Sequence, residues 1–345
     1  MIAAPYLLYL GHSDDEVGIK TSRGLAVFRR DDCVGEFRHD DCKLTLGLPR
    51  MGFAEAVAAG ARTLVLGIAN AGGKLGDALV RDAIDAVEAG LDVASGLHQR
   101  LRDEPALAAA AQRCGRTLHD VRDPSDDIPI GNGKPRAGRR LLTVGTDCSV
   151  GKMYATLCLE RGLKQRGIPA AFRATGQTGI LIAGAGVPLD AVVADFISGA
   201  IEQLSPARDD DDWDLIEGQG SLFHPSFAGV STGLLHGAQP DALVLCHDPV
   251  RAHMRGLPHY RMPGLAETLE ANLAVARLTN PAVRAVGVAL NTSKLPRAEA
   301  DRLCAETSDA LGLPCTDPLA MGVEPIIDWM IQCFEPSTRE ATLSL

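Results

Sequence analysis

The first third of the chain alternates short apolar runs with stretches in which apolar residues recur at helical spacing. The apolar runs predict strands over residues 6–10 and 63–68, and the helical spacing predicts helices over residues 54–59 and 77–89. Strands that alternate with helices are typical of a parallel sheet covered by helices. This pattern predicts an α/β fold for the first part of the chain.

The same alternation returns at residue 140 and continues to residue 290. It predicts a second parallel sheet with helices on both faces, of the kind that binds nucleotides at the carboxyl ends of its strands. The predicted strands cover residues 140–144, 170–174, 213–216, 242–246 and 283–290, and the predicted helices cover residues 152–165, 190–204 and 265–278.

Residues 122–140, between the two patterns, carry three prolines, three glycines and several charges, without a helical or strand period. Such a stretch is typical of a domain boundary. We therefore predict an α/β fold of two domains, a Rossmann-like parallel sheet over residues 1–122 and a P-loop NTPase-like parallel sheet over 140–335. Residues 123–139 are the predicted linker, and residues 336–345 are a predicted tail.

Composition narrows the class of function. The 345 residues are 46% hydrophobic, which is enough for two cores, and the formal net charge is -10. A negative net charge does not attract nucleic acid or anionic membranes, so we expect a small-molecule substrate. Nine cysteines are scattered singly, without the paired spacing of a metal site, and no apolar stretch is long enough to span a bilayer. We expect a cytoplasmic protein without a metal, and a homo-oligomer is left open.

Residues 141–153 place a glycine-bounded loop between an apolar strand and a predicted helix. In such a loop successive backbone N–H groups turn toward a phosphate, and Lys152 adds positive charge. Most phosphate loops continue with Ser or Thr, whose hydroxyl holds Mg²⁺, but Met153 stands here. The sequence predicts phosphate binding without part of the Mg²⁺ site. The residues predicted to bind a phosphorylated cofactor are Gly145, Thr146, Asp147, Cys148, Ser149, Val150, Gly151, Lys152 and Met153.

Two further segments are predicted to add polar groups beside this loop. The turn after the strand 170–174 offers Thr175, Gln177 and Thr178 as substrate-binding residues, or it is an ordinary connecting turn. Asp195 lies among apolar residues of a predicted helix, where it either faces the site or caps a surface.

Glu217 follows the predicted strand 213–216 and is the strongest candidate for catalysis. An acid at the carboxyl end of a strand beside a phosphate loop occupies the position of a Mg²⁺-binding Walker B residue. Without Mg²⁺ it serves as a general base if burial raises its pKa. Gln219, Ser221 and His224 follow as candidate substrate-binding residues, and a packed loop histidine is the alternative for His224.

The segment 246–260 carries two arginines and three histidines directly after another predicted strand. The histidines are six residues apart, which does not suit a metal site, so an anion-binding loop is favoured. Arg251 and Arg255 are predicted to bind substrate carboxylates, unless they are surface arginines. After the last predicted strand, Asn291 is a candidate for contact with a nucleotide base and Lys294 for contact with a carboxylate.

Four ordered motifs resemble a bacterial P-loop family formerly of unknown function. They are Gly-Thr-Asp-Cys-Ser-Val-Gly-Lys-Met from residue 145, Ala-Thr-Gly-Gln-Thr-Gly from residue 174, Glu-Gly-Gln-Gly-Ser-Leu-Phe-His-Pro from residue 217 and Leu-Asn-Thr-Ser-Lys from residue 290. Residues 66–73 and 89–98 agree as well, so the resemblance covers nearly the whole chain. One branch of that family acts as a D-glutamate N-acetyltransferase that uses acetyl-CoA, and the resemblance implies this activity and co-substrate, in D-amino-acid catabolism. The loop by itself is also similar to that of dethiobiotin synthetase.

The resemblance explains Met153, because a phosphate of acetyl-CoA is held in the loop but not transferred, and needs no Mg²⁺. For this reaction we expect Glu217 to be the base that takes a proton from the acceptor's ammonium, with Lys152 and Asp195 as further catalytic residues. The backbone N–H groups of residues 218–220 would stabilise the thioester oxyanion.

Cys148 allows a different chemistry. A thiol near a helix N-terminus and beside Lys152 is expected to have a lowered pKa, and it would then carry the acetyl group transiently. A small residue that fits the loop is the simpler interpretation.

Two other functions are compatible with the sequence. One is an ATP- and Mg²⁺-dependent ligase or synthetase of the dethiobiotin synthetase type, in which the hydroxyl of Thr146 or Thr156 replaces the one missing at Met153. The other is a non-catalytic regulatory module that binds a nucleotide.

Overall fold

The computed structural model describes residues 2–16, 18–68, 73–125 and 127–334. The chain divides into two compact units. The first consists of Met1–Asp126 together with Gly176–Ala191, and the second consists of Asp127–Thr175 together with Val192–Leu345. Each unit has its own parallel sheet flanked by helices, which confirms the predicted fold class.

The first unit contains a five-stranded sheet in which every neighbouring pair is parallel, in the order β2-β1-β3-β4-β5. Its strands are β1 (Tyr6–Gly11), β2 (Cys33–Arg38), β3 (Thr63–Leu66), β4 (Asp92–Ser95) and β5 (Leu118–Asp120). Its helices before residue 126 are α1 (Lys20–Phe28), α2 (Phe53–Ala58), α3 (Asp77–Ala89) and α4 (Pro105–Cys114).

The core of the first unit follows from the pattern of apolar residues. Strand β1 is buried along its whole length, and Leu7, Leu64 and Val93 pack with the apolar face of α3. Burial of such side chains contributes roughly 1.5–3 kcal/mol each. Helix α3 has the predicted bounds, because Gly90 ends it in the left-handed conformation at φ 107°. Part of the glycine-rich motif at 66–73 lies outside the described residues.

The second unit contains a six-stranded sheet, again parallel throughout, in the order β13-β12-β9-β6-β8-β7. Its strands are β6 (Arg139–Gly145), β7 (Ala170–Arg173), β8 (Trp213–Ile216), β9 (Ala242–His247), β12 (Arg284–Leu290) and β13 (Cys315–Thr316), and β10 (His253–Met254) and β11 (Leu257–Arg261) form a separate antiparallel hairpin. Its helices are α5 (Lys152–Gln165), α7 (Ile197–Leu204), α8 (Ala228–Ala238), α9 (Leu265–Ala276), α10 (Arg297–Leu311) and α11 (Glu324–Phe334). The predicted tail 336–345 lies outside the described residues.

One short helix, α6 (Gln177–Ala183), lies in the second half of the sequence but belongs to the first unit. The Thr178 hydroxyl lies 2.7 Å from the Thr21 hydroxyl in α1, and Arg29 Nε donates to the Ile182 carbonyl at 2.5 Å. Residues 176–191 are therefore an excursion of the chain into the first unit. The predicted division at 123–139 does not include this excursion.

The helix predicted over residues 190–204 is wrong in its first half. Two short 3₁₀ turns, Leu189–Ala191 and Ala194–Phe196, precede α7, which begins only at Ile197. The chain leaves the first unit between residues 191 and 192, so one continuous helix does not form across that point. The apolar spacing of the segment gave no sign of this crossing.

No helix among the described residues combines the length and the apolar composition needed to cross a membrane.

Candidate active site

The phosphate loop, residues 145–152, runs from the end of β6 into the first turn of α5. Gly151 adopts φ 100° immediately before α5, and Ser149 adopts φ 53°, so the loop curls tightly ahead of the helix. Helix α5 begins at Lys152, as predicted. Val150 is buried in the core of the unit, so only its backbone can contact a ligand. The arrangement of strand, loop and helix is the one that directs backbone N–H groups to a phosphate.

Lys152 is folded into the loop. Its Nζ donates to the Asp147 carbonyl at 2.8 Å and to the Gly220 carbonyl at 2.9 Å. Burial lowers the pKa of the Lys152 ammonium below its ordinary value, because the charged form loses hydration. A bound phosphate would replace these two carbonyls as the partner of the ammonium.

Asp147 is an anchor of the loop and is fully buried. Its carboxylate accepts the Cys148 N–H at 2.6 Å, Arg251 Nη1 at 2.8 Å and the Arg255 N–H at 2.7 Å. Three donors, one of them charged, fix this side chain. Its predicted part in cofactor binding is therefore indirect, through the shape of the loop.

Arg251 is hydrogen-bonded to the loop as well. Its Nε donates to Asp248 at 3.0 Å, and its Nη2 donates to the carbonyls of Cys148 at 3.0 Å and Ser149 at 2.6 Å. Four of the five N–H donors of Arg251 therefore have protein partners, which leaves its predicted contact with a substrate carboxylate little support. Arg255 differs, because its guanidinium is exposed and Nη1 donates to the Ser149 hydroxyl at 2.6 Å.

The expected activation of Cys148 is contradicted. Burial raises the pKa of the Cys148 thiol, and the opposing effects of Lys152 and Arg251 are smaller. The thiol is therefore less ionised than an ordinary cysteine, which removes the physical basis for an acetyl carrier at this position.

Glu217, directly after β8, is buried beside Thr175. Glu217 Oε2 accepts the Thr175 N–H at 3.0 Å, and the Thr175 hydroxyl donates to the Glu217 carbonyl at 2.6 Å. Gln219 Nε2 donates to the same Thr175 hydroxyl at 3.1 Å. Three predicted site residues are thus brought together at the carboxyl ends of β7 and β8, as ligand-binding residues of open α/β sheets are.

The turn after Glu217 approaches β6 closely. The Gly218 N–H donates to the Thr143 hydroxyl at 3.0 Å, and a Cβ at Gly218 would collide with the Thr143 carbonyl. This N–H is therefore not available to a thioester oxyanion, contrary to the expectation for the first residue of the turn. The close approach also explains why a glycine occupies this position.

Both hydroxyls that were expected to replace the one missing at Met153 have protein partners. Thr156 Oγ1 donates to the Lys152 carbonyl at 2.8 Å and lies 2.9 Å from the Thr143 hydroxyl. Thr146 Oγ1 lies 2.9 Å from His247 Nδ1, and burial lowers the pKa of that imidazole. These contacts count against the ATP- and Mg²⁺-dependent alternative.

Ser221 and His224 pack under the loop. Ser221 Oγ donates to the Thr146 carbonyl at 3.0 Å, and His224 is buried and stacked on Phe227 at 4.4 Å between ring centroids. The Ser226 N–H donates to His224 Nδ1 at 3.2 Å, which places the proton of the neutral ring on Nε2. His224 therefore presents a donor at Nε2.

Asp147, Cys148 and His224 bring one ligand atom each within 4.8 Å of one another. This set does not fit a metal ion. His224 Nδ1 already accepts the Ser226 N–H, and the Asp147 carboxylate is already paired with the Arg251 guanidinium.

Three predicted residues have other contacts or surroundings. Gln177 and Thr178 belong to the first unit, where Gln177 accepts a hydrogen bond from Arg122 and Thr178 contacts Thr21. These contacts do not test the predicted role of Gln177 and Thr178 in substrate binding, which stays a prediction. Asp195 is exposed in a 3₁₀ turn, which does not favour its predicted catalytic role.

Asn291 and Lys294 lie on the turn after β12. A Cβ at Gly151 would lie 3.8 Å from Asn291 Cβ, so the asparagine is close to the phosphate loop. Its Oδ1 accepts hydrogen bonds from Ser293. Lys294 is exposed. Both positions are compatible with the predicted contacts to a base and to a carboxylate.

Sequence reasoning missed Thr143, Asp248 and His247, all of which hold the site together. His247 is the last residue of β9 and Asp248 follows it, within a segment predicted to bind an anion, and the acid after the strand was an available signal. Thr143 is one of several apolar or small residues in a buried strand, and nothing in its context pointed to Gly218.

A parallel sheet whose central strand runs through a glycine-bounded lysine loop into a helix defines the P-loop class of α/β proteins. The chain belongs to the DUF1611 family. Its residues 129–327 match "Domain of unknown function (DUF1611_C) P-loop domain", and residues 35–124 match "Domain of unknown function (DUF1611_N) Rossmann-like domain".

Two curated relatives are each named D-glutamate N-acetyltransferase. The protein from Tritonibacter scottomollicae is 52% identical over 328 residues, which cover 95% of this chain and 98% of the relative. The protein from Pseudoalteromonas sp is 49% identical over 326 residues, which cover 94% and 98%. A crystal structure of a DUF1611 family protein from Anabaena variabilis is similar over 96% of this chain and 100% of that chain, with a TM-score of 0.87 and 33% identity.

Proposed function

We propose that this protein is an acyltransferase that moves the acetyl group of acetyl-CoA to the amino group of D-glutamate. The observation that carries the proposal is the identity of about half of all aligned residues to two proteins named D-glutamate N-acetyltransferase, over nearly the full length of each. The expectation drawn from the four sequence motifs is the same.

The phosphate loop supports the choice of donor. Coenzyme A contains a pyrophosphate and a 3′-phosphate, and neither is cleaved in an acetyl transfer. A loop that holds phosphate through backbone N–H groups and Lys152, with Met153 in place of the Mg²⁺-binding hydroxyl, suits such a ligand. The contacts of Thr146 and Thr156 to protein partners point the same way.

The transfer itself needs a base and an open route for the leaving group. The acceptor nitrogen attacks the thioester carbonyl carbon, the C–S bond breaks, and coenzyme A leaves. Of the two protons that the nitrogen loses, one ends on the thiol and one passes to water. We assign the first proton transfer to Glu217, whose Oε2 is oriented by the Thr175 N–H.

The acceptor's carboxylates need cations or other donors. Arg251 is less suited because of its four hydrogen bonds to the loop and Asp248, and we propose the exposed Lys294 for a carboxylate instead. Gln219 and Thr175 lie beside Glu217 and are proposed to contact the acceptor near its amino group.

The proposed biological setting follows from the reaction. N-acetylation of a D-amino acid suits its catabolism, and the partners are two small molecules rather than nucleic acid or membrane. We propose a cytoplasmic location, because all nine cysteines are free, as in a reducing compartment.

The test is an assay of thiol release from acetyl-CoA across matched D- and L-amino acids, with the product identified by mass. We expect N-acetyl-D-glutamate, and at least 10-fold lower kcat/KM for L-glutamate. Glu217→Gln serves as the matched control for background hydrolysis. Thiol release that is independent of any amino acid, or turnover that requires ATP, would contradict the proposal.

A further inference from the structure

Three loops lie side by side at the carboxyl edge of the second unit's sheet. Strands β6, β9 and β12 are neighbours in that sheet, and their pairing continues past their ends. The Thr146 N–H donates to the Cys246 carbonyl at 3.2 Å, and the Asn291 N–H donates to the His247 carbonyl at 2.8 Å. The segment after β9, which contains the hairpin β10–β11, therefore starts between the phosphate loop and the Asn291 turn.

The hairpin is hydrogen-bonded to the phosphate loop by residues on both sides of its first strand, Arg251 before β10 and Arg255 after it. Asp147 accepts both the Arg255 N–H and Arg251 Nη1, and Arg251 also holds the carbonyls of Cys148 and Ser149. Met254 is buried, whereas the rest of the hairpin is largely exposed. Its position is therefore set by the same buried carboxylate that shapes the loop.

The exposed side of the hairpin carries cationic and imidazole groups. Arg255 is exposed beside the loop, and its Nη1 reaches the Ser149 hydroxyl at 2.6 Å. His253 and Arg261 are cross-strand partners, and both are exposed. A guanidinium has five N–H donors, so Arg255 is able to keep its bond to Ser149 and still bind an anion.

Coenzyme A has a matching order of groups along its nucleotide end. The pyrophosphate leads to a ribose, the ribose carries the 3′-phosphate, and the adenine follows. If the pyrophosphate occupies the phosphate loop and the adenine lies at the Asn291 turn, the ribose and its phosphate lie above the loop after β9. That is the position of Arg255.

We propose that the hairpin β10–β11 is the binding site for the ribose 3′-phosphate of coenzyme A, with Arg255 as the residue that contacts this phosphate. Arg251 is a positioning residue, which fixes the hairpin and the phosphate loop relative to each other. This inference rests on the proposed function, because it takes acetyl-CoA as the donor. It gives the protein a means to distinguish coenzyme A from nucleotides that lack a 3′-phosphate.

The experiment compares acetyl-CoA with acetyl-dephospho-CoA, which lacks only the 3′-phosphate. The wild-type protein is expected to prefer acetyl-CoA in kcat/KM by about 10- to 100-fold, the value of one charge-assisted contact. Arg255→Gln should lose this preference by weakening acetyl-CoA alone, mainly through KM. Arg255→Lys should retain part of it, because the charge stays while the planar geometry is lost.

Arg277→Gln is the matched control, since Arg277 is an exposed arginine of the same unit that is paired with Glu270 and lies after the end of α9, before β12 begins. It should leave the preference unchanged. Calorimetric binding of coenzyme A and dephospho-coenzyme A to the same variants repeats the comparison without turnover. A wild-type protein that does not distinguish the two donors, or an equal loss for both in Arg255→Gln, would overturn the inference. Absence of any acetyl transfer by the wild-type protein would instead remove the proposed function.

Discussion

The carboxyl edges of the two sheets carry different chemistry on the same architecture. In the second unit the edge consists of a phosphate loop with Lys152, stabilised by Asp147 and Arg251. In the first unit the corresponding edge carries imidazoles and carboxylates, with His12 after β1 and His39 after β2. The edge of the second unit suits a bound anion, whereas the edge of the first unit holds hydrogen-bonded pairs of imidazoles and carboxylates. A parallel α/β sheet thus sets where a site lies, and the loops set what it binds.

The cluster in the first unit is a connected network. Tyr9 donates its hydroxyl proton to Asp82 at 2.6 Å, and His39 Nε2 lies 2.8 Å from the same carboxylate oxygen. His12 stacks on His39 at 3.9 Å between ring centroids, and His12 Nδ1 lies 2.9 Å from Asp41. Burial raises the pKa of Tyr9, so the phenol remains the donor and Asp82 the acceptor.

The largest expected effect distinguishes catalysis in the second unit from binding of acetyl-CoA. Glu217→Ala should lower kcat by at least about 100-fold, the usual contribution of a general base, with the affinity for acetyl-CoA nearly unchanged. Single-turnover kinetics and calorimetry measure the two quantities. Full activity in this variant would exclude Glu217 from the mechanism, and the reactive base would then have to be sought elsewhere.

The second effect tests whether the phosphate loop depends on its buried anchor. Asp147→Asn removes one of the two carboxylates paired with Arg251, and Asp248 remains as the other, so the change should cost roughly 1.5–3 kcal/mol of stability in the second unit. Hydrogen exchange in β6 and α5 measures this loss, and protection in β1 and β3 is the internal control. Unchanged exchange in β6 would mean that the loop keeps its shape without the Asp147–Arg251 pair.

The third effect tests a substitution in the first unit, with the second unit as the control. Asp82→Asn in the first unit should lower protection in β1 by about 1–3 kcal/mol, because the acceptor shared by Tyr9 and His39 loses its charge and keeps only one oxygen. The affinity for coenzyme A should not change, since the phosphate loop belongs to the other unit. Tyr9→Phe, which removes only one of the two donors, should have a smaller effect. Loss of coenzyme A affinity in Asp82→Asn would contradict this separation of roles.

The smallest effect is a dependence on pH. Because burial lowers the pKa of Lys152, the free protein loses this ammonium's proton at a lower pH than an ordinary lysine does. Phosphate binds the protonated form, so affinity for acetyl-CoA is full below that lowered pKa and falls as pH rises through it. Titration calorimetry between neutral and alkaline pH measures the trend. Lys152→Met should bind weakly at every pH, and the same alkaline decline in that variant would assign it to another group.

Local signals predicted much of the fold. The bounds of α3 and α5 and of strand β8 agree with the apolar spacing, because Gly90 and Gly151 mark the ends of regular segments. The phosphate loop was predictable because all of its residues are consecutive. The positions of its glycines and of Lys152 are set by the backbone path between one strand, β6, and one helix, α5.

The partners of the side chains were not predictable in the same way. Arg251 meets Asp147 across 104 positions of sequence, and Tyr9 meets Asp82 across 73, so neither contact leaves a mark in any local window. Arg251 and Arg255 look alike in sequence, and only the fold distinguishes a half-buried guanidinium from an exposed one. The prediction of a lowered pKa for Cys148 was wrong for a related reason. Burial of the thiol was not visible in the sequence, and its effect on the pKa is larger than that of the nearby cations.

The excursion of residues 176–191 into the first unit has a consequence for synthesis of the chain. When the ribosome has released residues 1–126, all five strands of the first sheet are present, but helix α6 has not yet been made. The hydroxyl of Thr21 and the guanidinium of Arg29 then lack the Thr178 and Ile182 groups that they meet in the finished protein. The first unit is therefore complete only after the ribosome has passed residue 191. A gene fragment that stops at residue 139 encodes the first unit without residues 176–191.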